Sequence, residues 1–296
     1  MHLFLQIFYK LKEKLKIKIE LIKKSGIEPK LFIIQDSQTK EECDRYTKGK
    51  HKISNELGVK YEDIIIYTEG KTKEEIIEAI KSKLKFIKDP TIIQMPFTNI
   101  TSDDIAEIIP FEIDVDGLSI KQKEKLAVNS KDVLTPCTAF GCIKLLKELY
   151  DDLTGKTICI VNRSNLIGRP LVKLALNENM IPIVCHSKTP EWKIKEFMSK
   201  SDIIVSGCGK RKIFDAFSIC DENLNTRVET ILDCSMARID GILNVGDFDK
   251  ESILEVKPNI KIASGYKQLG LMTTYCLMEN TIKYYETYLN FNNLNN

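Results

Sequence analysis

From Leu3 to about Ser25, apolar and charged residues alternate with helical spacing, and the pattern stops near Gly26 and Pro29. This predicts a long amphipathic helix. A short apolar run, Leu31–Gln35, reads as a strand. Residues 42–56 read as a helix ending at Gly58, and Ile64–Tyr67 as a second strand. Thr72 with Glu75 three positions on fits a capping box, which opens a helix to about Phe86. Thr91–Met95 is a third strand and Thr101–Ile109 a short helix. Strands that alternate with helices predict a parallel sheet covered by helices.

Pro136–Tyr150 is helical and reads as a connector. A second alternation begins at Thr154-Gly155-Lys156. Strand Thr157–Val161 is followed by a polar turn and a helix, Gly168–Asn179. Strand Ile181–Cys185, helix Glu191–Ser199 and strands Ile203–Ser206 and Thr230–Asp233 come next. This is the rhythm of a dinucleotide-binding domain. Leu271–Leu289 is a last long helix, and the polar tail Asn290–Asn296 is expected to fray.

Composition narrows the function classes. The 296 residues suit two domains, and 43% hydrophobic content supports a real core. A net charge of +2 argues against a nucleic-acid-coating or polybasic membrane-surface protein. No apolar run approaches a membrane span. Nine scattered cysteines, without a secretory leader, point to reduced thiols inside a cell, with the cytoplasm expected and an organelle left open. With three histidines and no C-x-x-C pair, no metal site is expected.

Candidate chemistry falls in two places. Tyr46 and Lys50 are four apart on one helix, hence on one face. A phenol beside an ammonium can share its proton, and a lysine tuned toward neutrality can act as acid or base. Gln94 closes an apolar strand, at the end that faces the ligand crevice of a parallel sheet. Asp114 and Asp116 lie in a turn, where acids also serve to hold backbone N–H groups. In the second half, the loop Asn162–Gly168 joins a strand to a helix start, and free N–H groups there suit a pyrophosphate. The next strand ends in Cys185-His186-Ser187-Lys188-Thr189, without the acid that NAD-preferring sites place there. Arg163 and Ser187 could meet a 2′-phosphate instead, which points to NADP.

These pieces, in this order, resemble the bifunctional methylenetetrahydrofolate dehydrogenase/cyclohydrolases. The matching stretches are Tyr46…Lys50, Ile93-Gln94-Met95-Pro96, Asp114-Val115-Asp116-Gly117, Pro136-Cys137-Thr138…Gly141, Arg163-Ser164…Gly168…Pro170, Cys185–Thr189, Val245-Gly246-Asp247, and Met272-Thr273 with Asn280-Thr281. The resemblance implies an α/β protein: an N-terminal αβα domain (1–135 with 271–296) and a Rossmann-like NADP-binding domain (136–270), linked by long helices with a cleft between. It implies NADP-dependent oxidation of 5,10-methylenetetrahydrofolate and hydrolysis of the methenyl product to 10-formyltetrahydrofolate. Lys50, Tyr46 and Gln94 would be catalytic. Asp116, Tyr46 and Gly270 would bind the folate. Arg163, Ser164, Gly168, His186 and Ser187 would bind NADP. The expected partners are tetrahydrofolate derivatives and a second copy of the chain, in a homodimer formed through the NADP domains.

The chain departs from the family pattern in several places. Asn162 replaces the glycine before Arg-Ser, a position where asparagine tolerates a left-handed turn. Ile113 replaces a lysine and Cys43 a serine. Ser235-Met236-Ala237 replaces Gly-Ile-Asn. In Ser264–Leu271, Lys267 and Gln268 stand for two adjacent glycines, putting side chains where backbone would approach a ligand. Two alternatives stay open: a relative that keeps only the cyclohydrolase, and a non-catalytic folate- or nucleotide-binding partner protein.

Overall fold

The computed structural model describes residues 2–221, 223, 225–235, 237–239 and 242–294. The chain forms two compact units: Phe8–Cys137 with Thr274–Asn296, and Thr138–Thr273 with Met1–Ile7.

The first unit is built from α1 (His2–Lys24), β1 (Lys30–Asp36), α2 (Lys40–Leu57), β2 (Lys60–Ile66), α3 (Lys73–Leu84), β3 (Thr91–Ile93), α4 (Ser102–Ile108) and α5 (Ile120–Ala127). Phe8, Leu11, Leu15, Ile19 and Ile22 are buried along one stripe of α1. The three strands are all parallel, in the order β2-β1-β3. The Thr72/Glu75 capping box opens α3, whose Ile76, Ile80 and Leu84 are buried under the sheet's Ile34, Ile66 and Ile93. Each such side chain contributes about 1.5–3 kcal/mol of burial. Thr101 and Asp104 form a second capping box at α4.

Helix α6 (Cys137–Leu149) leads into the second unit. There β4 (Thr157–Val161), α7 (Gly168–Asn177), β5 (Ile181–Cys185), α8 (Glu191–Ser199), β6 (Ile203–Ser206), α9 (Ala216–Ile219), β7 (Thr230–Asp233), the hairpin β8 (Ala237–Ile239) and β9 (Ile242–Val245), α10 (Lys250–Val256) and β10 (Lys261–Ser264) follow in turn. The main sheet is parallel throughout, in the order β10-β7-β6-β4-β5. From β4 the chain runs first to β5 on one side, then back to β6 on the other. The β4/β6 boundary is therefore the switch point, where sheets of this kind open a ligand crevice at the strands' carboxyl ends. One π-helical turn, Tyr266–Gly270, precedes α11 (Leu271–Leu294), which carries the chain back to the first unit.

Helices α5, α9 and α10, the hairpin and β10 were not foreseen in the sequence pattern. Among the described residues no helix is long and apolar enough to cross a membrane, and no group of His, Cys, Asp and Glu could hold a metal ion.

Candidate active site

In the first unit, the chemistry-bearing residues gather at the carboxyl ends of β1 and β3. Three side chains, one just before α2 and two on it, spaced four and seven residues apart, reach the segment that follows β3. Thr39, just before the helix, donates to the Pro96 carbonyl (2.6 Å), and the Cys43 thiol donates to the Met95 carbonyl (3.5 Å). Lys50 completes the series, donating from Nζ to Gln94 Oε1. The orientation of the Gln94 amide is fixed on both sides. Its backbone N–H extends the sheet to the Ile34 carbonyl (2.8 Å), and its Nε2 donates to the Met95 carbonyl (2.7 Å), so Oε1 faces the lysine. Tyr46 stands one turn before Lys50 on α2; its side chain lies outside the described residues.

Lys50 is half-buried as a residue, and desolvation of its ammonium lowers its pKa. The Asp116 carboxylate opposes that shift, followed by the Cys137 and Cys43 thiols. Asp116 is pushed upward by burial and pulled down by the Lys50 charge and by the Cys137 thiol bonded to it. Amine and carboxylate therefore restrain each other, in surroundings that disfavour charge on either.

The turn that carries Asp116 is held tightly. Gly117 has φ +71°, and a Cβ there would lie 2.5 Å from the Leu134 carbonyl oxygen and 2.7 Å from the Pro136 nitrogen. Only glycine allows both that conformation and that approach. Asn280, on α11, donates to the Val115 and Thr135 carbonyls (2.8 Å each), and Cys137 Sγ donates to the Val115 carbonyl (3.3 Å). Asn280 and Cys137 match the family pattern in the sequence, but their contact with this turn, from elsewhere along the chain, has no local signal.

Asp114 does a different job from Asp116. Its Oδ2 accepts the Ser119 N–H (2.6 Å), while Oδ1 is buried without a hydrogen-bond partner. Burial pushes its pKa up to about 7. In the second unit, burial and then the neighbouring Asp247 push Asp233 up to about 6. Folding raises both values, so the folded protein holds protons that the unfolded chain has released. These groups favour the fold at low pH, and that contribution is lost as pH rises from about 4 to about 7. Asp114→Asn should remove its share, worth up to ~4 kcal/mol. Urea unfolding at pH 5 and pH 8 checks this: the variant should lose less stability between the two than the parent.

In the second unit, the β4–α7 loop lies at the switch point. Arg163 and Ser164 are exposed, and Arg163 stands in no ion pair among the described residues. Ser164 caps the loop: its Oγ accepts the Ile167 N–H (3.1 Å) and its carbonyl accepts the Arg169 N–H (3.0 Å). A Cβ on Gly168 would lie 2.2 Å from the Asn162 carbonyl oxygen, so the helix starts directly against the loop. After β5, His186 Nδ1 accepts the Lys188 N–H (3.2 Å); a neutral ring therefore carries its proton on Nε2. Ser187 and Lys188 beside it are exposed.

Two departures resolve differently from the sequence expectation. Asn162 has no left-handed backbone; among the described non-glycine residues, positive φ occurs at Asn99, Asn129, Asn179 and Lys212. Gln268 does not project from its loop, because its Oε1 turns back to accept the Ser264 N–H (2.7 Å). Lys267 is exposed, and the side chain of Tyr266 lies outside the described residues, as does Met236. Gly270, expected to bind substrate, belongs to the second unit, where its N–H closes the π-turn on the Gly265 carbonyl (3.2 Å).

Residues 136–289 match the family model described as tetrahydrofolate dehydrogenase/cyclohydrolase, NAD(P)-binding domain. The chain belongs to this family. The bifunctional protein FolD of Acetivibrio thermocellus is 33% identical over 279 residues, 93% of this chain and 92% of its own. That of Bacillus anthracis is 30% identical over 282 residues, again 93% and 92%. Among solved structures, the bifunctional FolD methylenetetrahydrofolate dehydrogenase/cyclohydrolase from Campylobacter jejuni matches with a TM-score of 0.82, at 29% identity over 96% of this chain and 97% of its own. The bifunctional enzyme from Thermoplasma acidophilum matches at 0.78 and 25% identity, over 96% and 97%. The dehydrogenase/cyclohydrolase family thus accounts for nearly the full length, both units included.

Proposed function

We propose that this protein oxidises 5,10-methylenetetrahydrofolate with NADP and hydrolyses the resulting methenyl compound to 10-formyltetrahydrofolate. The observation that carries the reading is the Lys50–Gln94 bond with Asp116 acting on the same ammonium, in a chain of this family. The methenyl substrate is a cation. A charged lysine would repel it, whereas an amine whose pKa burial lowers gives up its proton more easily, and in its neutral form accepts one from the attacking water. Gln94 aims the amine. Asp116, held by the Gly117 turn, offers a carboxylate to the pterin's N–H donors. Tyr46, one turn away on the same helix, is assigned to the folate-binding face.

The second unit's residues fit NADP. An unpaired, exposed Arg163 follows β4, exposed Ser187 follows β5, and no acid stands in His186–Thr189 to repel a 2′-phosphate. When bound, NADP supplies the hydride acceptor. Arg163 and Ser187 would hold the 2′-phosphate, His186 would offer Nε2–H, and Ser164 with Gly168 would shape the loop. Because Gln268 bonds within its own loop, the replaced glycines leave no amide projecting from that position, and the dehydrogenase half is retained in this reading.

Absorbance at the methenyl-folate band, with NADP and NAD run in parallel, tests the assignment. Methenyl formation should need NADP, and added methenyl-folate should be hydrolysed. Arg163→Ala should weaken NADP binding by about tenfold or more while changing NAD binding little. Equal turnover with both cofactors would defeat the 2′-phosphate assignment.

A homodimer and a cytoplasmic location complete the reading. Strand β5 is a sheet edge with Ile181 and Val184 exposed, and Leu176 on α7 is also exposed, an apolar edge suited to a second copy. All nine cysteines are free thiols.

A further inference from the structure

Asn162 stands where the family pattern has glycine, and both ends of its side-chain amide are engaged. Its Oδ1 accepts two backbone N–H groups, from Ser164 (2.7 Å) and from Gly168 (3.1 Å), the first residue of α7. Its Nδ2 donates to the Gly207 carbonyl (2.7 Å), 45 residues away at the end of β6. The amide therefore spans the switch point from the β4 loop to the β6 loop. The amide packs closely against the β6 side: a Cβ on Gly207 would lie 2.9 Å from Nδ2.

Two N–H groups converging on one oxygen at a helix start form the arrangement that elsewhere receives a phosphate oxygen. Here the oxygen is the protein's own. Two further N–H groups of this turn are also used, Ile167 by Ser164 Oγ and Arg169 by the Ser164 carbonyl. A pyrophosphate arriving at this crevice finds these four donors already taken.

We propose that Asn162 is an internal occupant of the pyrophosphate position, so that this chain's dinucleotide affinity rests on side chains such as Arg163 rather than on the start of α7. Asn162 is thus an affinity-setting residue for the cofactor. The inference rests on the NADP reading of this unit. It distinguishes itself from a simple bracing role by sign: a brace, when removed, weakens binding, whereas vacating an occupied anion position strengthens it.

The test uses the full chain and follows NADPH fluorescence on titration, with NADP, NAD and inorganic pyrophosphate as competitors. Asn162→Gly and Asn162→Ala should each bind NADP and NAD about tenfold more tightly, since two N–H groups become available to a charged oxygen. Inorganic pyrophosphate should compete at a correspondingly lower concentration. Asn162→Ala adds no backbone freedom, so it gives the same reading if the glycine variant melts too low. Unchanged or weaker binding in the folded variants, with normal NADPH binding by the parent, overturns the inference alone. A parent that binds no NADPH overturns the NADP reading, and this inference with it.

Discussion

Lys50→Ala should lower methenyl-folate hydrolysis by about a thousandfold, within the range a single positioned acid–base group supplies. The same variant should keep NADP-dependent oxidation. The structural reason is that Lys50 belongs to one cluster, with Gln94 and Asp116, while Arg163, His186 and Ser187 lie at the ends of strands in the other unit. The expected result is an enzyme that reduces NADP and accumulates the methenyl compound mole for mole, seen as an absorbance that rises and stays. Loss of both activities together, in a variant with a normal melting temperature, would mean that Lys50 binds substrate rather than moving the proton.

Gly117→Ala should be the most damaging small substitution in the first unit. The added methyl meets backbone at 2.5–2.7 Å on a residue already at φ +71°, and backbone cannot swing away as a side-chain end can. The cost combines left-handed strain with overpacking, about 3 kcal/mol or more. Asp116 moves with the turn, so hydrolysis should fall in the fraction that still folds. Urea unfolding separates the two effects. A variant with parental stability and parental KM for methenyl-folate would show that the turn is not held as the Leu134–Pro136 contact requires.

Much of the fold was legible because it rests on local rules. The Thr72/Glu75 box, the three apolar strands before Gln94, and the β4–α7–β5 rhythm each carry their signal within a few residues. Helix α5 carries a local signal of its own: Ser119 accepts the Gln122 N–H (3.3 Å) at its start, an N-cap pattern. What hid it was Gln122 itself, a polar residue that is buried because its amide ties the Phe111 carbonyl to the Leu134 N–H (2.8 Å each). Strand β10 was obscured by its mixed Lys261-Ile262-Ala263-Ser264 pattern, which only pairing beside β7 explains.

At the candidate site, spacing gave the face shared by Tyr46 and Lys50, and a polar residue closing a buried strand gave Gln94. The roles of Asn280 and Gln268 could not be read the same way. Asn280 acts on carbonyls 145 and 165 residues away, and Gln268 satisfies a backbone N–H that exists only once β10 ends at Ser264. Asn162 taught the opposite lesson. A residue type suited to a left-handed turn instead serves through its side-chain amide.

Direct titration of the Lys50 amine by 15N NMR, assigned against Lys50→Ala, bears most closely on the proposed chemistry. The expected midpoint lies below the ordinary lysine value of 10.5 and coincides with the rising alkaline limb of methenyl-folate hydrolysis. A Lys50 signal titrating with the surface lysines, while hydrolysis turns on at lower pH, would contradict it.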